Sequence, residues 1–555
     1  MTQTETLYST MDELLADQEF AGRPAYDLIR EIQDLYLEDK KPWVIGYSGG
    51  KDSSVILSLV YVALTKLKKE QRHKHVYVVS SDTLVETPIV IDLVTSTIDQ
   101  INKHAAENEL PITAHQVVPL MEKTFWVNLI GKGYPAPTQN FRWCTERMKI
   151  DPVSAFIKDK VERFGEVIVV LGARSQESAS RAQVIAKHKI EGSSLSRHTS
   201  LVGAFTYMPI EDWNFDEVWM YLLGAPCPWG GTHHELFALY KDSNAGECPL
   251  VIDTKTPSCG NSRFGCWTCT VVTKDRAIEG LIESGETWMK RLKALRNWLY
   301  RSTLPHNKGY YRNIKRRHGK VDFARNQNLS DSYAEREHTY GPYQMKWRQH
   351  WLAWILRLQE ELNQDKHRIT LITESELHNI REEWLTDPNE PDWDDTLPEI
   401  YKQITGKAFE KRPSDRNFPR KEARKILESL EEEFEAPAEL VMKLIDLQHS
   451  MDQSGNRRGY LDKIDTLLNK DWGTIEQILA NREATRLDTD LKRELQEKDV
   501  ENKAYETIEA DSDDDQKKSR QLNSLYDAEL TLLTKEYEEL LTEEREFLAN
   551  LEGQH

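Results

Sequence analysis

Apolar positions in the first half of the chain alternate between short unbroken runs and longer stretches at helical spacing. The runs are Trp43-Val44-Ile45-Gly46-Tyr47, Val76-Tyr77-Val78-Val79 and Val167-Ile168-Val169-Val170-Leu171, each of a length that suits a strand buried on both faces. Between them, stretches such as 86–108 and 151–163 carry the helical period. So does the N-terminal stretch 1–40, through Leu14, Tyr26, Leu28, Ile29, Ile32 and Leu35. Strands alternating with helices predict an α/β fold, a doubly wound parallel sheet whose ligand crevice lies beyond the carboxyl ends of the strands. The segments 48–53, 80–83 and 172–181, which follow the three runs, then share one crevice.

After about residue 285 the alternation stops. Trp288, Trp298, Trp347, Trp351 and Trp354 stand among Arg and Lys, and 286–420 reads as a mixed, mostly helical region. From about 420 onward Glu, Lys, Leu and Arg dominate. Ile426-Leu427, Leu430 and Phe434, and later Leu525, Leu530, Leu533, Tyr537, Leu540-Leu541 and Phe547, recur at helical spacing. They predict long amphipathic helices packed as a bundle or hairpin. The run Asp511-Ser512-Asp513-Asp514-Asp515 between them reads as an exposed linker. The predicted domains are 1–40, 41–285, 286–420 and 421–555.

Composition sharpens this division. A chain of 555 residues with 39% hydrophobic and 30% charged positions suits a globular front joined to a solvated helical tail. Its net charge of −19 argues against a generic polyanion-binding surface, so any nucleic-acid site must be a local basic patch. Lys308-Gly309-Tyr310-Tyr311-Arg312-Asn313-Ile314-Lys315-Arg316-Arg317-His318-Gly319-Lys320 is the candidate, with a solvated helix face or a protein-docking patch as its rival meanings. No stretch approaches about 18 consecutive apolar residues. The N-terminus also lacks the basic and apolar parts of a signal peptide, so a cytoplasmic protein without membrane contact is expected.

Candidate chemistry gathers at the loop ends. Ser48-Gly49-Gly50-Lys51-Asp52-Ser53-Ser54 joins the first strand to a helix. Two glycines let backbone N–H groups approach an anion, Ser48, Ser53 and Ser54 add hydroxyls, and the helix start adds its dipole. The spacing fits neither GxxxxGKS/T nor GxGxxG, and an ordinary turn is the bland alternative. Gly172-Ala173-Arg174-Ser175-Gln176-Glu177-Ser178-Ala179-Ser180-Arg181 again follows a strand. Arg174 and Arg181 could grip a triphosphate or a departing pyrophosphate, with Glu177 orienting one of them, or they could be surface arginines at a helix start. Phe141-Arg142-Trp143-Cys144-Thr145-Glu146-Arg147-Met148-Lys149-Ile150 holds Arg142, Arg147 and Lys149, which suit a second anion such as a phosphate to be activated. These neighbours favour a Cys144 thiolate able to carry sulfur or bind metal, against the alternative of a buried small hydrophobe.

All six cysteines lie between 144 and 269, and Cys248, Cys259, Cys266 and Cys269 give the spacing C-x10-C-x6-C-x2-C. Four thiolates so close together can fold round zinc or an iron–sulfur cluster, and spacing does not separate the two. Cys227, inside Ala225-Pro226-Cys227-Pro228-Trp229, is the least suited ligand.

The 48–53 loop resembles the SGGxDS pyrophosphate loop of the ATP pyrophosphatase superfamily, which splits ATP between the α and β phosphates. Residues 172–181 look like the GxRxxExxxR element of adenylyl-sulfate reductases and pyrophosphatase-type ATP sulfurylases. Pro209-Ile210-Glu211-Asp212-Trp213-Asn214-Phe215-Asp216-Glu217-Val218-Trp219-Met220-Tyr221-Leu222 resembles their PIxxWxxxDVWxYL segment. Together with 142–149 and the cysteine string, these motifs resemble the DndC family, the ATP pyrophosphatases of bacterial DNA phosphorothioation, over roughly residues 40–275.

The resemblance implies ATP and Mg2+ as cofactors, with Lys51 and Asp52 at the catalytic loop, Asp52 nearest the metal, and Gly172 beside the nucleotide. It implies adenosine recognition at Ser80-Ser81-Asp82-Thr83, with Asp82 as the acidic member. It also favours a 4Fe-4S cluster over zinc at the four cysteines. The implied reaction adenylylates a DNA backbone phosphate and then inserts sulfur, with a cysteine desulfurase as donor and companion proteins handling the DNA. One departure stands out: the reductases carry a tandem Cys-Cys where this chain has the single Cys144. An adenylyl-sulfate-type reductase is a weaker reading, because no cysteine follows Cys269. A tRNA thiolase and an ATP-binding scaffold are the remaining alternatives.

Overall fold

The computed structural model describes residues 6–177, 183, 186–242, 265–324, 332–365, 367, 369–411, 425, 429, 437, 440–445, 447–448 and 459–497. It opens with helix α1 (Met11–Asp17), whose Thr10 and Glu13 cap each other's backbone amides. A two-residue hairpin, β1 (Glu19–Phe20) and β2 (Arg23–Pro24), then leads into α2 (Ala25–Glu38). The helical N-terminal segment is therefore two helices. Ala21 and Gly22, at φ of +52° and +70°, turn the chain between them where a continuous helix would require negative φ.

The central sheet is built from β3 (Trp43–Gly46), β4 (Val76–Ser81), β5 (Ile112–Val117), β6 (Val167–Val170), β7 (Leu195–Arg197) and β8 (Ala204–Tyr207). Their order is β5-β4-β3-β6-β8-β7, with every pairing parallel except β7 against β8. Helices α3 (Lys51–Lys66), α4 (Pro88–Glu107) and α5 (Asp151–Phe164) make the connections. The two middle strands carry the unbroken apolar runs because both of their faces are covered: Trp43, Val44, Ile45, Val167, Ile168 and Val170 are fully buried. Val44, Val79, Val167 and Val169 pack with Ile157 and Ala204 on one face. Helix α3 is buried from Ser53 to Leu64, and its Ser58 hydroxyl meets the Tyr221 hydroxyl at 2.9 Å.

Three strands carry no unbroken apolar run. Ile112-Thr113-Ala114-His115-Gln116-Val117 and Leu195-Ser196-Arg197 are polar at alternate positions, as the outer strands of an open sheet can be. The strand order reverses between β3 and β6, so the loops after β3, β4 and β6 leave the same edge of the sheet at its switch point.

The remaining described elements are helical: α6 (Phe215–Gly224), α7 (His234–Asp242), α8 (Arg276–Glu283), α9 (Met289–Arg301), α10 (Met345–Gln364), α11 (Glu374–Leu385), α12 (Leu397–Thr405), α13 (Tyr460–Leu468) and α14 (Ile475–Glu497). The chain divides into two compact units, one of residues 1–129, 136–301 and 352–380, the other of 130–135, 302–351 and the described part of 381–555. Inside the second unit, the fully buried Arg348 donates to the Ile130 carbonyl at 2.8 Å and pairs with Asp387 at 2.6 Å.

The basic patch at 308–320 belongs to this unit, and its three arginines, half-buried, are held by backbone carbonyls and a carboxylate while Lys320 is exposed. Arg312 donates to the Gly341 carbonyl at 2.8 Å, Arg316 to that of Tyr340 at 3.2 Å, and Arg317 to that of Lys132 and to Glu383 at 2.7 and 3.0 Å. The predicted amphipathic positions from Ile426 to Phe434 and from Leu525 to Phe547, and the linker at 511–515, lie outside the described residues. Among those described, no helix is long and apolar enough to cross a membrane.

Candidate functional site

The glycine loop is shaped by the packing of β3 and α4. Tyr47 N–H donates to the Val79 carbonyl at 2.9 Å, and the chain then turns through Gly49 at φ +71°. A Cβ at Gly49 would lie 2.4 Å from Val94 Cγ2, so both conformation and space call for glycine. Ser53 Oγ braces the turn, donating to the Gly50 carbonyl at 2.9 Å and standing 3.2 Å from both Ser48 N and Ser48 Oγ. Ser54 lies in the core with its hydroxyl at Tyr47, whose phenol burial pushes up to about 12. Of the three serines, Ser48 is the exposed one. Gly50 caps α3 without a side chain, so the helix presents its first-turn amides to whatever lies above the loop.

The loop after β6 closes on this turn. A Cβ on Gly172 would lie 2.7 Å from both the carbonyl carbon and oxygen of Asp52, so glycine permits the two loops to touch. The contact brings Arg174 Nε to Asp52 Oδ1 at 2.7 Å, while Lys51 Nζ meets Asp52 Oδ2 at 2.8 Å. Asp52 thus receives one cation on each oxygen. Arg174 also donates to the Trp213 carbonyl at 3.2 Å and is only 4% exposed. The Asp52 carboxylate thus orients Arg174. The Glu177 side chain and Arg181 lie outside the described residues. Two partners were not singled out as site residues: the Trp213 carbonyl, whose backbone role the 209–222 segment does not signal, and Tyr240, whose hydroxyl accepts from Lys51 N–H at 3.4 Å.

A second cluster forms at the end of β4. Asp82 Oδ1 accepts from Leu84 N–H at 2.8 Å, holding Leu84 at φ +63°, and burial raises the Asp82 carboxyl above its usual range. Residues 265–267 dock along this loop, with Thr87 Oγ1 donating to the Gly265 carbonyl at 3.0 Å and Trp267 N–H to that of Val85 at 3.1 Å. Cys266 Sγ then sits 3.3 Å from Thr83 Oγ1 and 3.8 Å from Glu86 Oε1. That same Glu86 oxygen accepts from Thr83 at 3.0 Å and pairs with Lys149 at 3.2 Å.

Cys269 turns back onto Cys266, its N–H donating to the Cys266 carbonyl at 3.0 Å. Cys144 lies within electrostatic reach of both. Burial pushes the Cys144 and Cys266 thiols up. For Cys144 this corrects the expectation of a favoured thiolate, because desolvation outweighs the cations nearby in sequence.

Those cations part ways: Arg147 is hydrogen-bonded to Asn128, Lys149 pairs with Glu86, and Arg142 is exposed. Cys248 and Cys259 lie outside the described residues, and Cys227 is buried elsewhere in the core. Among the described residues no three His, Cys, Asp or Glu side chains come close enough together to hold a metal ion.

Residues 42–272 match the phosphoadenosine phosphosulfate reductase domain family. Two uncharacterized proteins of Methanocaldococcus jannaschii are 25% identical over 273 residues (49% of this chain, 45% of theirs) and 27% identical over 176 residues (32% and 34%). The chain thus spans less than half the length of these curated relatives. Among solved structures, the phosphoadenylyl-sulfate reductase of Candida auris matches at 16% identity, covering 39% of this chain and 88% of that one, with a TM-score of 0.23. The U34-tRNA thiolase NcsA from Methanococcus maripaludis, with its 4Fe-4S cluster, matches at 14% identity, covering 50% and 76%, with a TM-score of 0.24. At such scores no residue is carried over from either. The chain is thus similar, over residues 42–272, to the phosphoadenosine phosphosulfate reductase domain family.

Proposed function

We propose that this domain activates a phosphate oxygen of the DNA backbone with ATP, releasing pyrophosphate, and then replaces that oxygen with sulfur. The observation that supports it best is the Lys51–Asp52–Arg174 bridge across the glycine loop. The loop amides and the α3 N-terminus suit the leaving pyrophosphate, and Lys51 and Arg174 are the cations that would offset its growing charge. Asp52 uses two of its four lone-pair sites on these partners, which leaves acceptor capacity for the Mg2+ that accompanies ATP.

In the first step the acceptor oxygen attacks the α-phosphorus and pyrophosphate departs. In the second, the terminal sulfur of a persulfide on Cys144, loaded by a cysteine desulfurase, attacks the activated phosphorus and AMP departs. A second thiol then cleaves the S–S bond, forming a disulfide with Cys144 and freeing the phosphorothioate. A 4Fe-4S cluster, or zinc, would draw on Cys248, Cys259, Cys266 and Cys269. The two of these that are described offer the right donor chemistry without forming a closed ligand group.

The test is anaerobic purification followed by assay of pyrophosphate release from ATP, with iron, acid-labile sulfide and zinc measured on the same sample. Pyrophosphate release that rises with added DNA, together with labelled sulfur in the DNA, is the expected outcome. Sulfur entering tRNA instead would move the acceptor, and a protein that binds ATP without cleaving it would leave a scaffold.

A further inference from the structure

Ahead of Cys144 the chain makes a tight turn. Thr138 N–H donates to the Phe141 carbonyl at 3.2 Å and Phe141 N–H donates back to that of Thr138 at 3.1 Å, so Gln139 and Asn140 form the tip. Both ends of the turn are anchored. Thr270, directly after Cys269, donates its buried Oγ1 to the Pro137 carbonyl at 2.7 Å, and the buried Trp143 ring stacks on Phe125 with centroids 5.5 Å apart. The Arg142 carbonyl accepts from Thr145 N–H at 3.1 Å, which joins the turn to the Cys144 segment. Between these anchors Gln139, Asn140, Phe141 and Arg142 are four consecutive exposed residues, and Phe141 leaves 44% of its surface to solvent.

A single exposed phenylalanine is ordinary on a protein surface. Here it stands with two side-chain amides and a guanidinium, on a turn tied to the segments that carry Cys144 and Cys269. Each of these groups suits part of a nucleotide. The ring face stacks a base of any identity, the amides donate and accept at base edges, and the guanidinium pairs with a phosphate. A base can stack on Phe141 only when it is out of a duplex, where both of its faces are covered by neighbouring bases. We infer that the turn at 138–142 holds the acceptor strand: Phe141 stacks an unpaired base of single-stranded or locally opened DNA, and Arg142 pairs with its phosphate. This rests on the reading of DNA as the sulfur acceptor. It assigns strand recognition to the domain that carries Cys144 rather than to the basic patch at 308–320, whose arginines are engaged by backbone carbonyls.

The experiment measures, by fluorescence anisotropy over a range of salt concentrations, binding of the full chain to a labelled oligothymidine strand and to the corresponding duplex. It compares wild type with Phe141→Ala, Phe141→Leu, Phe141→Trp, Arg142→Gln and Phe164→Ala. Phe164, at the end of α5 and 52% exposed, controls for the loss of any surface ring. Wild type is expected to prefer the single strand. Phe141→Ala and Phe141→Leu should each weaken single-strand binding about fivefold or more, while Phe141→Trp, which keeps an aromatic face, retains it. Arg142→Gln should lower the slope of log affinity against log salt by about 0.7, the share of one phosphate contact. Phe164→Ala should bind as wild type does. Equal single-strand affinity in wild type and Phe141→Ala overturns the inference, as does an equal loss in Phe164→Ala, or wild-type protein that binds no single strand. Loss of sulfur uptake from a cysteine desulfurase in Phe141→Ala, with strand binding intact, overturns it too and gives the turn to a protein partner. Pyrophosphate release from ATP, assayed on the same samples, reports on the proposed reaction separately: its absence counts against that reading, whereas the affinities alone decide the inference.

Discussion

Asp52 and Arg174 are 122 residues apart in sequence and 2.7 Å apart in space. Arg174 is buried, so removing its counter-charge leaves a cation in a poorly solvated place. Asp52→Asn is expected to cost about 3 kcal/mol of stability and to slow pyrophosphate release about 100-fold, read by denaturant unfolding and a coupled phosphate assay. Activity equal to wild type would remove Asp52 from the chemistry.

His233 gives a pH signature of another kind. It is buried with its Nε2 unpartnered among the described residues, and burial pushes it from 6.5 down to about 4. The unfolded chain therefore takes up the proton first. Stability is unaffected above about pH 6.5 and falls below it, by up to about 3 kcal/mol near pH 4. Urea midpoints of wild type and His233→Gln at pH 7.5 and 5 check this, because the variant should lose that part of the acid-side slope.

At the scale of elements, the site is a junction of three loops leaving one edge of a parallel sheet, and two glycines set how closely they meet. Gly49→Ala places a side chain at φ +71° against Val94, and Gly172→Ala places one 2.7 Å from the Asp52 backbone. The first is relieved in part by movement of a valine side chain, the second only by parting β6 from α3. Gly172→Ala should therefore lose nucleotide binding more completely than Gly49→Ala, with both exceeding about tenfold, as equilibrium dialysis with ATP would measure. The reverse order would mean that the loops are held apart by something other than backbone contact. Strands β3, β4 and β6 were legible because buried parallel strands read as unbroken apolar runs ending at a loop. Strands β5 and β7 were not, because a strand with polar alternate positions resembles a loop until its hydrogen-bond partner is known, and β8 is too short a run to stand out.

For the whole molecule, a net charge of −19, and a basic patch whose arginines donate to backbone carbonyls and Glu383, argue against tight binding of duplex DNA by the described residues. The purified chain alone should bind duplex only weakly at physiological salt, with a shallow salt dependence, and gain affinity when companion proteins are added. Tight duplex binding by the chain alone, in a filter or anisotropy assay, would contradict this.

The sequence alone determined the strand–loop–helix at 43–66, the glycines that shape its turn, and the meeting of the loops after β3 and β6. Each of these follows from periodicity and from residues adjacent in the chain. Only the tertiary structure decided that Asp52 steadies Arg174, that Cys144 lies near Cys266 and Cys269 with its thiol raised, that Lys149 serves Glu86, and that the Tyr240 hydroxyl meets the start of α3. The physical reason is that hydrogen-bond partners and desolvation depend on which distant segments pack together, and local spacing carries no record of that.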